Sequence, residues 1–325
     1  MFKGQTQDIN FSQFYELPLL RNPALAGIYK GDYRFTSVYR NQWASVTTPY
    51  KTLGLGFETR LPIPNTNDYV SLGTQVTHDQ AGDSKLSKTQ LLPLLAYHKS
   101  LDTEKDAYLT IGLLAGAVQQ RFDPSALRFS DQFIGGAYSE SNPTQQSFQS
   151  FTRIYWDNAI GLAYSSIVGE DLRFYLGAGL FHFTQPKVAF TESDIRLNKK
   201  YVFNAGISAP VNNSGRIVVY YDVFVQGGNN QMQGGLLYQR FLGKTDDENP
   251  TTLAIGSTYR LNDAIVPVIR LDYGRVSAGF SYDVNTSKLS KASHGNGGAE
   301  FTLSYKGIFK NNSANSRLRC PVNMN

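Results

Sequence analysis

The stretch GGAEFTLSYKGIF, residues 297–309, decides the fold, because apolar and polar side chains alternate along almost all of it. The apolar face consists of Ala299, Phe301, Leu303, Tyr305 and Phe309. The polar face consists of Glu300, Thr302, Ser304 and Lys306. A period of two residues indicates a β-strand whose faces meet two different environments. The stretch alone leaves open whether these are a protein core and water, or lipid and a polar lumen.

The composition fits a membrane β-barrel as well as a soluble protein. The mean hydropathy is −0.32, a value typical of a soluble chain. That average misleads for a barrel, since only every second strand residue meets lipid. No apolar run approaches the roughly 18 residues that a membrane-spanning helix needs. A chain of 325 residues fits one large barrel or two soluble domains.

The same alternation recurs along nearly the whole chain, for example in LRFYLGAGLFHF (172–183) and RIVVYYDVFVQ (216–226). In each case one face is free of charge, while the other carries Arg, Asp, Thr, Ser or Gly. The pattern predicts about 14 strands of about 10–14 residues, longer than strands of soluble proteins and long enough to span a membrane. The predicted strand centres are Ser37, Leu55, Leu72, Leu92, Leu113, Ile160, Leu176, Asn204, Val219, Leu236, Ile255, Val268, Phe280 and Leu303.

The predicted connections alternate between short and long over much of the chain. Short turns include 168–171, 212–215 and 272–274, and long connections include 123–150, 185–199 and 285–297. Outer-membrane barrels have short periplasmic turns and longer outer loops, whereas a soluble sandwich has no reason to segregate its loops. We therefore predict an all-β protein, a transmembrane antiparallel up-and-down β-barrel of about 14 strands, in the bacterial outer membrane with a periplasmic N-terminus.

Three regions are predicted: an N-terminal periplasmic or lumenal segment (1–31), the barrel (32–310) and a polar C-terminal tail (311–325). Residues 7–31 are too apolar for a disordered tail, so we expect them to pack against the barrel mouth or to enter the lumen. The opening MFKGQTQD lacks the apolar core of a signal peptide, and we expect a cleavage site within KGQTQD.

Charged strand residues lie opposite apolar neighbours, which predicts that they face the lumen. An arginine facing lipid at the membrane midplane would cost about 2–4 kcal/mol. The predicted lumen-lining residues are Arg173, Arg260, Arg275, Asp283 and Glu300. We interpret them as part of a buried ion-pair network that fills the lumen. The alternative is an anion-selective channel.

Catalytic, metal and nucleic-acid sites are not indicated by any motif. The four histidines (His78, His98, His182 and His294) have no metal-ligand spacing, and a single cysteine excludes an intramolecular disulfide. No nucleophile elbow and no phosphate-binding loop occurs. The net charge of +5 is scattered rather than clustered, which argues against nucleic acid. We expect a protein that is not an enzyme and needs no cofactor.

The longest predicted loop, 122–151, carries aromatic residues among Ser, Gln and Asn. These candidate partner-binding residues are Phe129, Phe133, Tyr138 and Phe148. Aromatic side chains among small polar ones suit a protein-binding surface on a rigid scaffold. The alternative is that the loop folds inward and closes the lumen, which is common in barrels.

The stretch QDINFSQFYELPLLRNPALAG (7–27) resembles the N-terminal signature of the PorP/SprF family, Q-D-x-x-F-S-Q-[FY]-Y followed by N-P-A-x-x-G. The matching residues are Gln7, Asp8, Phe11, Ser12, Gln13, Phe14, Tyr15, Asn22, Pro23, Ala24 and Gly27. Further similar blocks follow in the family's order: YRNQW (39–43), HDQAGD (78–83), LRFSDQF (127–133), YRLNDAIVP (259–267) and GFSYDVNTSKLSKAS (279–293). The resemblance spans residues 7 to about 309.

This resemblance implies an outer-membrane component of type IX secretion or gliding motility in Bacteroidetes. The implied partners are other type IX secretion proteins and the C-terminal domain of a secreted cargo, such as a cell-surface adhesin. One alternative is a porin or a FadL-like transporter of small solutes. Another is an outer-membrane enzyme such as a phospholipase barrel, which is disfavoured because no Ser–His pair stands out.

Overall fold

The structure is a computed structural model that describes residues 8–42, 48–82, 84–139, 141–146, 148, 150–169, 171–242, 251–287 and 295–309. The predicted tail (311–325) and residues 1–7 lie outside this part of the chain. The strands are β1 Tyr33–Gln42, β2 Tyr50–Pro62, β3 Tyr69–Ala81, β4 Leu86–Asp102, β5 Ala107–Arg121, β6 Phe133–Ile134, β7 Ala137–Tyr138, β8 Thr152–Val168, β9 Leu172–Phe181, β10 Lys200–Asn212, β11 Gly215–Gln226, β12 Asn229–Leu242, β13 Thr251–Arg260, β14 Ala264–Tyr273, β15 Val276–Asn285 and β16 Asn296–Gly307. Short 3-10 turns are Phe14–Glu16, Pro18–Leu20, Pro23–Leu25, Pro124–Ala126 and Ser130–Gln132.

In the described part of the chain, 14 strands close into one antiparallel barrel, and the hairpin β6–β7 stands apart. Each strand pairs with its sequence neighbours, except that β5 pairs with β8 across the hairpin. Every predicted strand centre falls within a barrel strand, so the predicted fold is confirmed. Among the described residues, no helix is long and apolar enough to cross a membrane.

The barrel closes between its first and last strands. Register runs from Tyr33 opposite Gly307 to Gln42 opposite Gly298. On its other side β16 pairs with β15, where Phe280 lies opposite Phe301. Closure leaves no unpaired strand edge at this seam. A sheet surrounded by hydrocarbon has to be closed, because lipid cannot satisfy the hydrogen bonds of backbone donors and acceptors.

The two faces of the barrel wall answer the question raised by the final strand. Phe301 and Leu303 point outward and are 54% and 55% exposed, whereas Glu300 points inward and is 1% exposed. The same inversion recurs around the barrel, with exposed Leu, Ile and Phe outside and buried Arg, Asp, Gln and Ser inside. The apolar face therefore meets lipid, and the polar face meets a filled lumen.

The two ends of the barrel differ in their connections. The loop end carries the connections 122–151 and 182–199 and the β15–β16 connection, so the three long connections predicted from the sequence share one end. The turn end carries the β8–β9 connection and the tight turns 213–214 and 274–275, and there the chain enters β1.

Residues 8–31, called the plug segment below, lie inside the barrel. Its large apolar residues Phe11, Phe14, Tyr15, Leu17, Leu19 and Tyr29 are each at most 4% exposed. Pro18 and Pro23 begin two of its 3-10 turns, a position where proline's missing N–H costs nothing. The segment runs from the loop end, where Asp8 contacts His182, to the turn end, where Gly31 contacts Arg60.

Candidate functional site

The plug segment is bound to the wall near the loop end through the carboxylate of Glu300. The backbone N–H groups of Ser12 and Gln13 donate to its two oxygens at 2.8 and 2.7 Å. The Gln13 side chain donates to Ser281 at 3.2 Å and accepts from Thr302 at 3.1 Å. Charge-assisted bonds of this kind are stronger than neutral ones, so they fix the height of the plug segment in the barrel.

Asp283 is a second anchor beside the first. Its Oδ2 accepts from Arg40 Nη2 and Arg260 Nη2, each at 2.6 Å, and its Oδ1 accepts from the Ser12 hydroxyl. Arg260 also donates to Ser12 Oγ at 3.0 Å. Strands β1, β13 and β15 therefore meet at Asp283, which in turn bonds Ser12 of the plug segment.

The middle of the plug segment carries a buried ion pair. Arg21 donates from Nε and Nη2 to the two oxygens of Asp222 at 2.8 and 2.7 Å, and from Nη2 to the Tyr175 hydroxyl at 2.8 Å. Asn204 donates to Asp222 at 2.7 Å. The guanidinium also lies 5.0 Å from the Phe14 ring. This arrangement neutralises a cation at a depth where water cannot.

Glycines in the wall admit the plug backbone. A Cβ on Gly112 of β5 would collide with the backbone of Pro23, and a Cβ on Gly161 of β8 would collide with the side chain of Asn22. Asn22 bridges strands instead, donating to Leu162 O at 3.3 Å and to a β9 carbonyl at 3.2 Å. In the sequence these glycines look like ordinary strand residues. Their role becomes visible only from their contact with the backbone and side chains of the plug segment.

At the loop end, Asp8 is surrounded by three basic residues. Its carboxylate lies 2.7 Å from His182 Nε2, 3.0 Å from Lys200 Nζ and 3.4 Å from Lys88 Nζ. The other ring nitrogen of His182 lies 2.7 Å from Asp157. A ring that faces carboxylates through both nitrogens can donate to both only when it is protonated, so this geometry favours the positively charged form of His182.

The sequence model of the family described as "Type IX secretion system membrane protein PorP/SprF" matches residues 3–305. The chain belongs to this family. No curated protein matches it.

Solved structures with a similar barrel share about a tenth of their residues with this PorP/SprF protein. The CymD monoaromatic hydrocarbon channel is 11% identical, with 89% of this chain and 91% of that chain covered and a TM-score of 0.46. BamA from Haemophilus ducreyi is 10% identical, with 85% and 70% covered and a TM-score of 0.40. OprB from Pseudomonas putida is 9% identical, with 85% and 93% covered and a TM-score of 0.36. Similarity at this level says nothing about a ligand.

Several residues of the PorP/SprF signature hold the plug segment. Asp8, Ser12 and Gln13 bind the wall through side chain or backbone, as described above. Asn22 caps the third 3-10 turn by accepting from Ala24 N at 2.9 Å. Gly27 has a φ of +73° and donates its N–H to Glu58 at 2.8 Å. Gln7 lies outside the described residues.

The structure distributes the predicted lumen-lining residues unevenly. Arg260, Asp283 and Glu300 lie together, buried around Ser12. Arg173 lies half-buried near the turn end and bonds Asp171 at 2.6 Å.

The prediction that Arg275 lines the lumen is wrong, because this residue is exposed in the turn between β14 and β15. The chain reverses at Gly274, whose φ is +58°, and β15 begins only at Val276. Extending the alternation by one residue at the end of a strand caused the error.

The four aromatic residues predicted to bind a partner form two groups. Phe129 and Phe148 lie 6.0 Å apart by ring centroid, and Phe148 packs against Phe122 at 5.0 Å. Phe133 and Tyr138 face each other across the β6–β7 hairpin at 5.5 Å, with Phe133 47% exposed. The first group packs beside Phe122 at the start of the loop. In the second group Phe133 is exposed, whereas Tyr138 is half-buried with the Arg128 guanidinium 4.8 Å from its ring.

A Ser–His contact that the sequence did not reveal lies near the turn end. Ser71 Oγ is 2.9 Å from His98 Nε2, and Thr110 Oγ1 is 2.8 Å from His98 Nδ1. All three are at most 1% exposed, and the plug residue Gly27 lies directly against Ser71. Within the described residues, no group of His, Cys, Asp and Glu is arranged to hold a metal ion.

We expect the contacts of Asp8 to depend on pH. Burial alone would raise the pKa of Asp8, but the charges of Lys200, His182 and Lys88 hold it well below its usual value. Burial alone would lower the pKa of His182, but the carboxylates of Asp8 and Asp157 raise it. The stability that ionised Asp8 contributes to the folded protein is present above a pH of about 4 and is lost as pH falls through its lower folded pKa. The His182 contribution is complete below about pH 6.5 and is lost as pH rises through its higher folded pKa.

Because amide hydrogen exchange is itself base-catalysed, the quantity to compare is the protection factor, which is the intrinsic exchange rate divided by the observed rate. The protection factors of residues 8–13 should fall at alkaline pH. In the variant His182→Gln they should be lower near neutral pH and should lose this additional alkaline decrease. An unchanged profile in that variant would show that His182 does not hold the N-terminal end of the plug segment.

Proposed function

We propose that this protein is a non-enzymatic outer-membrane component of the type IX secretion machinery that binds or anchors an exported protein at its loop end. The supporting observation is that the plug segment fills the lumen and is bonded to the wall on several sides. A filled barrel offers a rigid surface in the membrane instead of a pore. The C-terminal domain of a secreted cargo such as a cell-surface adhesin is the partner that the family suggests.

A transporter of small solutes is the second candidate, because a cavity of about 70 Å³ opens between the plug segment and strands β10–β12. Its lining includes Asp8, Phe11 and Gln233, and its inner limit includes Arg21. Below this cavity lies the Arg21–Asp222 ion pair. The rings of Tyr15 and Tyr220 stack in the same layer, with their centroids 4.7 Å apart. A solute would have to break this layer to pass, which favours the surface role.

The orientation that we propose places the loop end outside the cell, since long loops face outward in such barrels. The sequence predicted a periplasmic N-terminus. With the loop end outside, Asp8 lies at the outer mouth, and Gly31, where the chain approaches β1, lies at the periplasmic end. A periplasmic location then holds for the end of the plug segment and not for its beginning.

The β6–β7 hairpin is the proposed docking element. Phe133 is 47% and Ile134 is 67% exposed, and both lie on a hairpin that does not pair with the described barrel strands. Exposed aromatic and aliphatic side chains on a supported loop are typical of protein-binding surfaces. Phe129 and Phe148 support the hairpin from its base.

Deleting residues 130–147 tests docking against plugging. We expect cargo with its C-terminal domain to be lost from the cell surface, while the conductance of the purified protein in planar bilayers stays as low as in wild type. A control deletion of the exposed residues 191–194, in the other long connection at this end, should leave cargo retention unchanged. If leakage rises and retention is unchanged, the loop is a plug and the docking proposal is wrong.

A further inference from the structure

The outer surface of β3, β4 and β5 changes from apolar to polar before the strands reach the loop end. Register places Val76, Leu91 and Ala117 side by side as the last apolar row. Two residues further along each strand, His78, Thr89 and Gln119 form the next row. Arg121 ends β5 one row beyond them. Since hydrocarbon does not accommodate an unpaired arginine, these rows mark the level of the lipid headgroups.

A groove of about 600 Å³ lies on this outer surface, above the last apolar row. Lys85, in the turn between β3 and β4, and Arg121 supply its cations, and His78 lies below them. Phe122 and Phe151 overhang it, joined by a bond from Phe122 N to Phe151 O at 3.2 Å. Phe151 is 47% exposed.

The cations of the groove lie near one carboxylate, Asp123, whose pKa is lowered mainly by its hydrogen bonds to Ser125 and also by the charges of Lys85 and Arg121. Neither Lys85 nor Arg121 forms an ion pair with a carboxylate among the described residues. The acidic residue in the lining, Asp123, has its Oδ1 bonded to Ser125 through the backbone N–H at 3.1 Å and the hydroxyl at 2.7 Å. An outward cation at the turn end differs, because Lys99 is paired with Asp68 at 3.0 Å.

We propose that this groove binds the phosphorylated headgroup of a membrane lipid. A phosphate at headgroup level would meet Lys85 and Arg121, of which arginine matches its oxygens with paired N–H donors. The exposed ring of Phe151 would cover the apolar part of the headgroup or the start of an acyl chain. With the loop end outside, the lipid is a phosphorylated glycolipid of the outer leaflet. This site adjoins the loop that carries the docking hairpin, because Phe122 of its lining packs against Phe148, but it does not include the hairpin itself.

Native mass spectrometry of the full chain in detergent, titrated with diphosphoryl lipid A, tests the proposal. Each surface cation contributes about fivefold to the affinity for an anionic lipid. The double variant Lys85→Gln, Arg121→Gln should therefore bind about 25-fold more weakly than wild type. Lys99→Gln, an outward lysine at the opposite end, should bind like wild type. Lipid A without phosphates should lose a similar factor, and inorganic phosphate should not displace the lipid.

The proposal is overturned if the double variant binds within twofold of wild type, or if phosphate-free lipid binds equally well. Displacement by inorganic phosphate at the concentration of the lipid would show a simple anion site in place of a headgroup site. Heat-dependent gel mobility reports whether the double variant folds. If it does not, Lys85→Gln alone, in an exposed turn, should still show about a fivefold loss.

Discussion

Replacing Asp222 by Asn is expected to lower the free energy of unfolding by about 3–5 kcal/mol, because it leaves a buried arginine without its counter-charge. The Asp222 side chain is fully buried and accepts from Arg21, Asn204 and Gln233. Asn has the same shape, so the loss would come from charge and from the accepting oxygen and not from packing. Urea unfolding of the refolded barrel, followed by tryptophan fluorescence, measures it.

Asp171→Asn is the matched control, since this carboxylate also bonds two arginines, Arg173 and Arg216. Its side chain is 34% exposed at the turn end, so we expect a loss of about 1 kcal/mol or less. The double variant Arg21→Met, Asp222→Leu removes both charges and should recover most of the stability. Equal losses in Asp222→Asn and Asp171→Asn would show that the lumen is hydrated at the depth of Arg21.

Gly112→Leu is expected to displace the plug segment from the lumen and to turn the barrel into a conducting pore. Even a Cβ at this position would lie within 2.6 Å of Ala24 N, and the atom it meets is backbone and cannot rotate away. Overpacking of this kind costs about 1–3 kcal/mol where the structure yields. We expect steady current in planar bilayers, where wild type shows little, and rapid tryptic cleavage after Arg21.

Ala115→Leu adds the same side chain to the same strand but on the lipid face, where Ala115 is exposed. It should leave conductance and protease resistance as in wild type. A Gly112→Leu protein that stays closed and keeps Arg21 protected would show that the plug segment can shift along the lumen without leaving it.

The sequence predicts this fold well because membrane strands carry a local period. The alternation in residues 297–309 assigns Phe301 to lipid and Glu300 to the lumen without knowledge of any neighbour, and the structure agrees. A local pattern does not predict contacts between residues that are far apart in the sequence. Ser12 and Asp283 are 271 residues apart, and no local pattern shows that they bond.

The path of the plug segment through the lumen could not be predicted from the sequence either. Its 3-10 turns have no regular period, and its direction depends on partners such as Asp8 with Lys200, which are 192 residues apart. Gly112 and Gly161 looked like other strand glycines, because the backbone that they admit belongs to a different part of the chain. A single sequence records the residue types at such contacts but not which ones meet.

The position of the plug segment also constrains the order of assembly. Residues 8–31 are made first, yet Ser12 bonds Glu300 in the last strand, and the barrel is sealed only when β16 meets β1. A segment bonded to β1, β2, β11 and β13–β16 cannot be threaded through a finished wall without breaking buried ion pairs at each step. The last strand therefore has to close around the first segment of the chain, which makes the pairing of β1 with β16 the final step of barrel folding.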